Sequence, residues 1–368
     1  MDRRKAILFA ACVLAGAIVF YWQASGKSSR RSEIPDAPST AAAASTLTPA
    51  IDAADLPLFD RIGVVLAKVR RNSASAGDLA LLRRDLFADP AAGIAAIRRF
   101  LGTHEDASTG QPFVVAGEGV LGSAPTLRLF LLDLLGQLSR QLRSGDGAAV
   151  AREILAKKDS PDEWALALRN VAWDEPKSRP FLAQKMHEML DYEPWTATPT
   201  SGMIEAFDVA VYSGDATLIP PLAGLSRGEN PSLQHAATIA LDRLAENSTL
   251  AVMTYLNANP TVIADLPFVR ADYFAKADLG NAEQRKAVEQ YLDRSEVTDS
   301  EKTKFLHAIA SPGSFVGDSL LTTSIKPDDG TARYAGIAAA SADWSRTNRF
   351  PALLPHVLWL HQRVTLTE

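Results

Sequence analysis

Leu218-Ile219-Pro220-Pro221-Leu222-Ala223-Gly224-Leu225, a polar turn from Ser226 to Asn230, and Pro231-Ser232-Leu233-Gln234-His235-Ala236-Ala237-Thr238-Ile239-Ala240-Leu241-Asp242-Arg243-Leu244 decide the fold. The apolar residues recur at helical spacing on both sides of the turn, which predicts a pair of antiparallel helices. Asn230 is a good N-cap, and proline suits the first helical position, where a missing N–H costs nothing. The same punctuation extends outward. Pro57, Pro90, Pro125, Pro161, Pro199, Pro231 and Pro260 are separated by 33, 35, 36, 38, 32 and 29 residues. Asp89, Ala124, Ser160, Thr198, Asn230 and Asn259 precede the last six, and five of these are good caps. A capped proline at this interval predicts a helical repeat.

The unit from Asp215 to Asn247 resembles a HEAT repeat, through its Leu-Ile-Pro-x-Leu first helix, the small Ala237 and the Ala240-Leu241 pair. The resemblance covers roughly residues 55 to 275 and implies antiparallel helix pairs stacked into a curved α-solenoid. Ten residues after each proline from Pro90 to Pro231 stand Phe100, Leu135, Val171, Val209 and Leu241. Six after them stand Ala96, Leu131, Ala167, Glu205 and Ala237. Pro260 breaks the frame with Arg270. Leu127-Arg128 falls where such repeats usually carry Val-Arg, while the Pro231 unit has Leu233-Gln234.

The expected fold class is all-α: a HEAT-like solenoid with one short β-hairpin insertion and an N-terminal transmembrane helix. Its organisation is an anchor at 1–24, a flexible tether at 25–50, the solenoid at 51–280 and a C-terminal helical cap region at 281–368. Helices are expected at about 282–294 and 300–310, followed by a Gly/Pro/Ser/Asp-rich passage from Ser311 to Gly330. The helical segment that closes the chain is expected to be broken by Pro351 and Pro355. Composition agrees: 47% of the 368 residues are hydrophobic and mean hydropathy is −0.02, as in a globular chain.

Asp2-Arg3-Arg4-Lys5 precedes an apolar run from Ala6 to Trp22. The basic flank and the interfacial Tyr21-Trp22 favour an uncleaved single-pass anchor with a cytoplasmic N-terminus. A cleaved signal peptide and a lipid anchor at Cys12 are the alternatives. Each exports the body of the protein, to the periplasm in a Gram-negative host. Cys12 is the only cysteine, so the body holds no disulfide and no thiol ligand. Residues 1–33 carry six basic and two acidic residues; without them 32 basic face 41 acidic, a formal charge of −9. A duplex-binding groove needs the opposite balance, so no nucleic-acid partner is expected.

Gly117-Glu118-Gly119-Val120-Leu121-Gly122 spells G-x-G-x-x-G, but Pro125 follows too soon for the glycines to open a dinucleotide-binding helix. Hairpin glycines are the reading. His187-Glu188-Met189-Leu190-Asp191 has aspartate where a zinc helix needs its second histidine, and reads as a solvated face. No catalytic, cofactor or metal residue is assigned, and no cofactor is expected. Trp164, Trp173, Trp195 and Trp344 are candidate anchors for a partner, with helix packing as the plainer role.

The functional expectation is a membrane-anchored, extracytoplasmic scaffold that binds protein or peptide partners without catalysis of its own. The partner-binding candidates are Phe113, Val115 and Glu118, on a hairpin expected to protrude, and Trp195, in a second proline-aromatic connection. The alternative is an exported hydrolase that uses carboxylates on the same scaffold, for which acidic residues and a histidine would converge in one pocket.

Overall fold

The proline punctuation works in two ways in the computed structural model, which describes residues 56–311, 319–322 and 331–366. The expected anchor and tether lie outside the described residues, among which no helix is long and apolar enough to cross a membrane. Asp89, Ser160 and Asn230 each cap the helix that the next proline opens, accepting hydrogen bonds from Ala92, Glu163 and Leu233 N–H groups respectively. Pro125 and Pro199 stand one residue further out. There the caps are Thr126 and Thr200, whose hydroxyls accept from Leu129 and Met203 N–H groups. Pro260 opens no helix; the next one begins at Pro267.

The described residues form 17 α-helices and one two-stranded sheet. The first three are α1 (Leu58–Arg70), α2 (Ala76–Ala88) and α3 (Pro90–Leu101). The hairpin strands β1 (Val114–Val115) and β2 (Leu121–Ser123) follow, pairing antiparallel with an irregularity in register. Next come α4 (Leu127–Leu142), α5 (Asp146–Leu155), α6 (Pro161–Asp174), α7 (Arg179–Leu190) and the short α8 (Glu193–Ala197). The middle holds α9 (Ser201–Ser213), α10 (Ile219–Ser226), α11 (Pro231–Asn247), α12 (Thr249–Ala258) and α13 (Pro267–Phe274). The chain closes with α14 (Ala282–Asp293), α15 (Asp299–Ala308), α16 (Thr331–Arg346) and α17 (Leu354–Thr365). The closing segment is broken as expected, between Arg346 and Leu354: Pro351 starts a 3-10 turn there, and Pro355 lies in the first turn of α17.

Seven helices form a spine in which each packs on the next: α4, α6, α9, α11, α13, α15 and α17. Others, among them α3, α5, α7, α10 and α12, pack beside it as a second layer. The apolar frame explains this. Phe100, Leu135, Val171, Val209 and Leu241 are all buried, as are Ala96, Leu131, Ala167 and Ala237. Small residues let spine helices approach closely. Gly136 shows the limit: a Cβ there would run into the side-chain amide of Asn170 on α6.

A polar clamp recurs between spine helices at the ends of the array. Arg128 of α4 donates from Nε and Nη2 to the two carboxylate oxygens of Glu163 on α6, at 2.9 and 3.2 Å. Its Nη1 donates to the Leu101 carbonyl at the end of α3. Arg270 of α13 repeats this atom for atom: Nε and Nη2 to Glu301 of α15, at 2.7 and 2.9 Å, and Nη1 to the Pro260 carbonyl. Pro260 therefore matters as an acceptor rather than as a helix start. A planar guanidinium fork is the side chain that can make all three bonds at once. The Arg270–Glu301 pair is drier, with side chains 6% and 1% exposed against 10% and 17% for Arg128–Glu163. Removing one partner of a buried pair strands the other charge, at a cost of about 3–5 kcal/mol. Glu301→Ala should lose stability of that order, and Glu163→Ala distinctly less. Urea denaturation of the two variants measures the difference.

Candidate binding face of the spine

The face of α4, α6, α9 and α11 carries two buried Asp–Arg pairs, and each holds a piece of non-helical chain. The first joins Asp133 of α4 to Arg169 of α6 at 2.6 Å, with side chains 2% and 0% exposed. Burial pushes the Arg169 guanidinium below its ordinary value, and the Asp133 carboxylate beside it counteracts the shift. Asn170 completes the site: its side-chain oxygen accepts from Arg169, and its amide donates to the Leu132 carbonyl.

This pair grips the hairpin. Asp133 accepts from the Leu121 N–H at 3.1 Å, and Arg169 donates to the Gly119 carbonyl at 2.8 Å. Phe113 and Leu121 are buried beneath it. The hairpin thus does not protrude as expected; two apolar side chains and two backbone hydrogen bonds fold it back onto the spine. The glycine-rich stretch forms its turn, with Glu118 and Gly119 at φ of 60° and 74°. A Cβ on Gly119 would also collide with the Leu320 carbonyl.

Leu320 belongs to the second gripped segment, Ser319–Thr322. Asp208 of α9 and Arg243 of α11 stand 3.2 Å apart, 6% and 5% exposed. Asp208 Oδ2 accepts from the N–H groups of Leu321 and Thr322 at 2.7 and 2.9 Å. The Thr322 hydroxyl donates to Asp208 Oδ1 and accepts from Arg243. Arg243 also donates to the Ser319 hydroxyl at 2.5 Å and to the Thr322 carbonyl. Leu320 itself is fully buried, a contribution of about 1.5–3 kcal/mol for a leucine.

Trp173 lies one turn beyond Arg169 on α6, half-buried, with the guanidinium groups of Arg169 and Arg140 over its ring at 4.0 and 5.3 Å. Trp164, Trp195 and Trp344 are core residues instead. Trp195 meets Trp164 and Tyr192 edge to face, both at 5.1 Å. Of the residues expected to meet a partner, Phe113 and Trp195 are therefore buried, Val115 is half-buried, and Glu118 is exposed at the hairpin tip. The structure brings Phe113, Val115 and Glu118 together on the hairpin and leaves Trp195 within α8, packed against Trp164 of α6.

Glu205 was the one polar residue in the apolar frame, and it sits one turn before Asp208. Burial pushes its carboxyl up, and the Asp208 carboxylate adds to the shift. Glu246, one turn after Arg243's neighbour Asp242, is shifted up by burial as well. Histidines lie elsewhere: His187 bonds the Thr217 hydroxyl, and His307 pairs with His356 and stacks on Trp359. Among the described residues no group of three His, Cys, Asp or Glu side chains is placed to hold a metal ion.

Sequence reading missed Asp133, Arg169, Asp208 and Arg243. The available signal was a charged residue between the apolar frame positions, as in Leu132-Asp133-Leu134 and Leu168-Arg169-Asn170-Val171. No family model matches the chain, and neither a curated protein nor a solved structure is significantly similar to it.

The folded chain holds a proton on Glu205 more tightly than the unfolded chain does, so its contribution to stability falls as pH rises through the raised value. Glu205→Gln should accordingly raise the Tm at pH 7, with the gain shrinking as pH falls below the ordinary glutamate range. Thermal melts between pH 4 and pH 7.5 provide the check.

Proposed function

We propose that this chain is a HEAT-like α-solenoid scaffold that binds polypeptide partners on the spine face, without catalysis of its own. The observation that carries the reading is the repeated Asp–Arg pair. Each pair holds irregular chain through backbone N–H and C=O groups, which is the chemistry that receives an extended polypeptide. The spine of stacked helices and the Arg128 and Arg270 clamps support the HEAT likeness. The basic flank and the apolar run from Ala6 to Trp22 support an anchored, extracytoplasmic body.

Trp173 gives such a partner an aromatic surface already desolvated on one side and flanked by cations. Tryptophan and arginine together are the residue types that concentrate binding energy at interfaces. Crosslinking in intact cells, followed by capture of the tagged full-length chain, should return a stoichiometric envelope protein. Trp173→Ala combined with Arg140→Glu should lower its recovery at least tenfold while leaving the melting temperature near that of the wild type. Recovery unchanged by the double variant would place the contact elsewhere. A body facing the cytoplasm in a protease-protection assay would refute the exported topology.

A further inference from the structure

We infer that the Asp208–Arg243 site recognises an extended partner segment of the type hydroxyl-Leu-Leu-Thr, and that Ser319-Leu320-Leu321-Thr322 occupies it in cis as an internal competitor. The inference rests on the reading of this face as a polypeptide-binding surface, and it names both the ligand class and its regulation.

The site lies between two neighbouring spine helices. Asp208 and Arg243 pair with each other at 3.2 Å and, with Ser319–Thr322 seated on them, are more than nine-tenths buried. What they ask of an occupant is mostly backbone. One carboxylate oxygen takes two successive N–H groups, and the guanidinium takes a carbonyl. Any extended chain supplies those groups, so they set affinity and not identity. Identity comes from three side chains: the Ser319 hydroxyl on Arg243, the Thr322 hydroxyl shared by both charges, and Leu320, which is fully buried. The Leu320 carbonyl seats against Gly119, so the gripped hairpin forms one wall of the site.

The two Asp–Arg pairs differ in how their occupants are tied. The hairpin lies just ahead of Asp133 in sequence, is braced by its own strand pairing, and buries Phe113 as well as Leu121. Ser319–Thr322 has no helix or strand of its own and reaches Arg243 and Asp208 from 76 to 114 residues away. Among the described residues its side-chain and backbone hydrogen bonds go to Asp208 and Arg243. A purely structural cover over α9 and α11 would be made as well by apolar side chains, without desolvating an aspartate and an arginine. Backbone-directed charges suit an occupant that leaves and is replaced. Being tethered, the internal segment competes at an effective concentration in the millimolar range, so a partner must exceed it in affinity or carry further contacts.

The test uses the full-length chain and a fluorescent peptide, Gly-Gly-Ser-Leu-Leu-Thr-Gly-Gly, with a Gly-Gly-Ser-Asp-Leu-Thr-Gly-Gly control. A Leu320→Asp/Thr322→Val double variant weakens the internal segment and leaves the spine untouched. It should bind the first peptide at least tenfold more tightly than the wild type does and should bind the control no better. Adding Asp208→Asn to the double variant should abolish the gain. Equal binding by wild type and double variant, or no binding by either, overturns the inference. In that case a defined partner still captured by crosslinking keeps the scaffold reading, and its absence removes that reading too. Should the double variant lose its thermal transition, hydrogen exchange decides the matter in the wild type. Excess peptide should accelerate exchange at the Leu321 and Thr322 amides, and unchanged rates overturn the inference. A dimer of the double variant that free peptide fails to dissociate would assign the site to a second copy, and would overturn it as well.

Discussion

Ion pairs between successive spine helices are the constraint on which the rest of this structure depends. A helix buried on several sides has few ways to fix its register against its neighbour, because leucine and alanine contacts slide at little cost. A guanidinium fork aimed at one carboxylate allows a single register. Arg128 with Glu163 and Arg270 with Glu301 set it near the helix starts, each also tying a carbonyl of the adjacent layer. Between them the Asp162 carboxylate accepts from the Gly202 N–H, linking α6 to α9. Tyr291 adds its hydroxyl to the two Arg270 N–H groups on Glu301, so that this carboxylate meets three donors in a dry site.

The Asp133–Arg169 and Asp208–Arg243 pairs use the same chemistry for a second purpose. They stand further along the helices, and their remaining hydrogen-bonding capacity is taken up by the hairpin and by Ser319–Thr322. A buried charge must be satisfied from all sides. Because the helices' backbone groups are already paired with one another, the missing partners come from irregular chain. The hairpin and Ser319–Thr322 answer that demand, and contact each other at Gly119 and Leu320. The spine and the two segments gripped on it thereby share one set of groups, which links the packing of the helices to the chain that lies on their face.

Much of the architecture was legible from residues taken singly. Asp89, Ser160 and Asn230 revealed helix starts because a cap and a first-turn proline act locally. Phe100, Leu135, Val171, Val209 and Leu241 revealed the buried stripe because burial follows helical period. Pro260 misled for a reason of the same kind: its carbonyl is needed by Arg270, ten residues on, and no local rule reports that bond. Phe113 and Trp195 were partner-binding candidates because they stand in connections between helices, with packing as the plainer role for Trp195; both are buried.

The sequence by itself determined the helical class, the repeat interval and the buried stripe, since caps, proline and apolar period each act within a turn or two of chain. Tertiary structure alone decided which charges meet. Asp133 and Arg169 are 36 residues apart, and the Asp208 carboxylate reaches its Thr322 partner across 114. The first separation equals the interval from Pro125 to Pro161, so the repeat places both residues at matching positions, but neither interval tells which side chains pair. Low dielectric inside the packed spine then selects the pairing, by making an unmatched charge too costly to leave there.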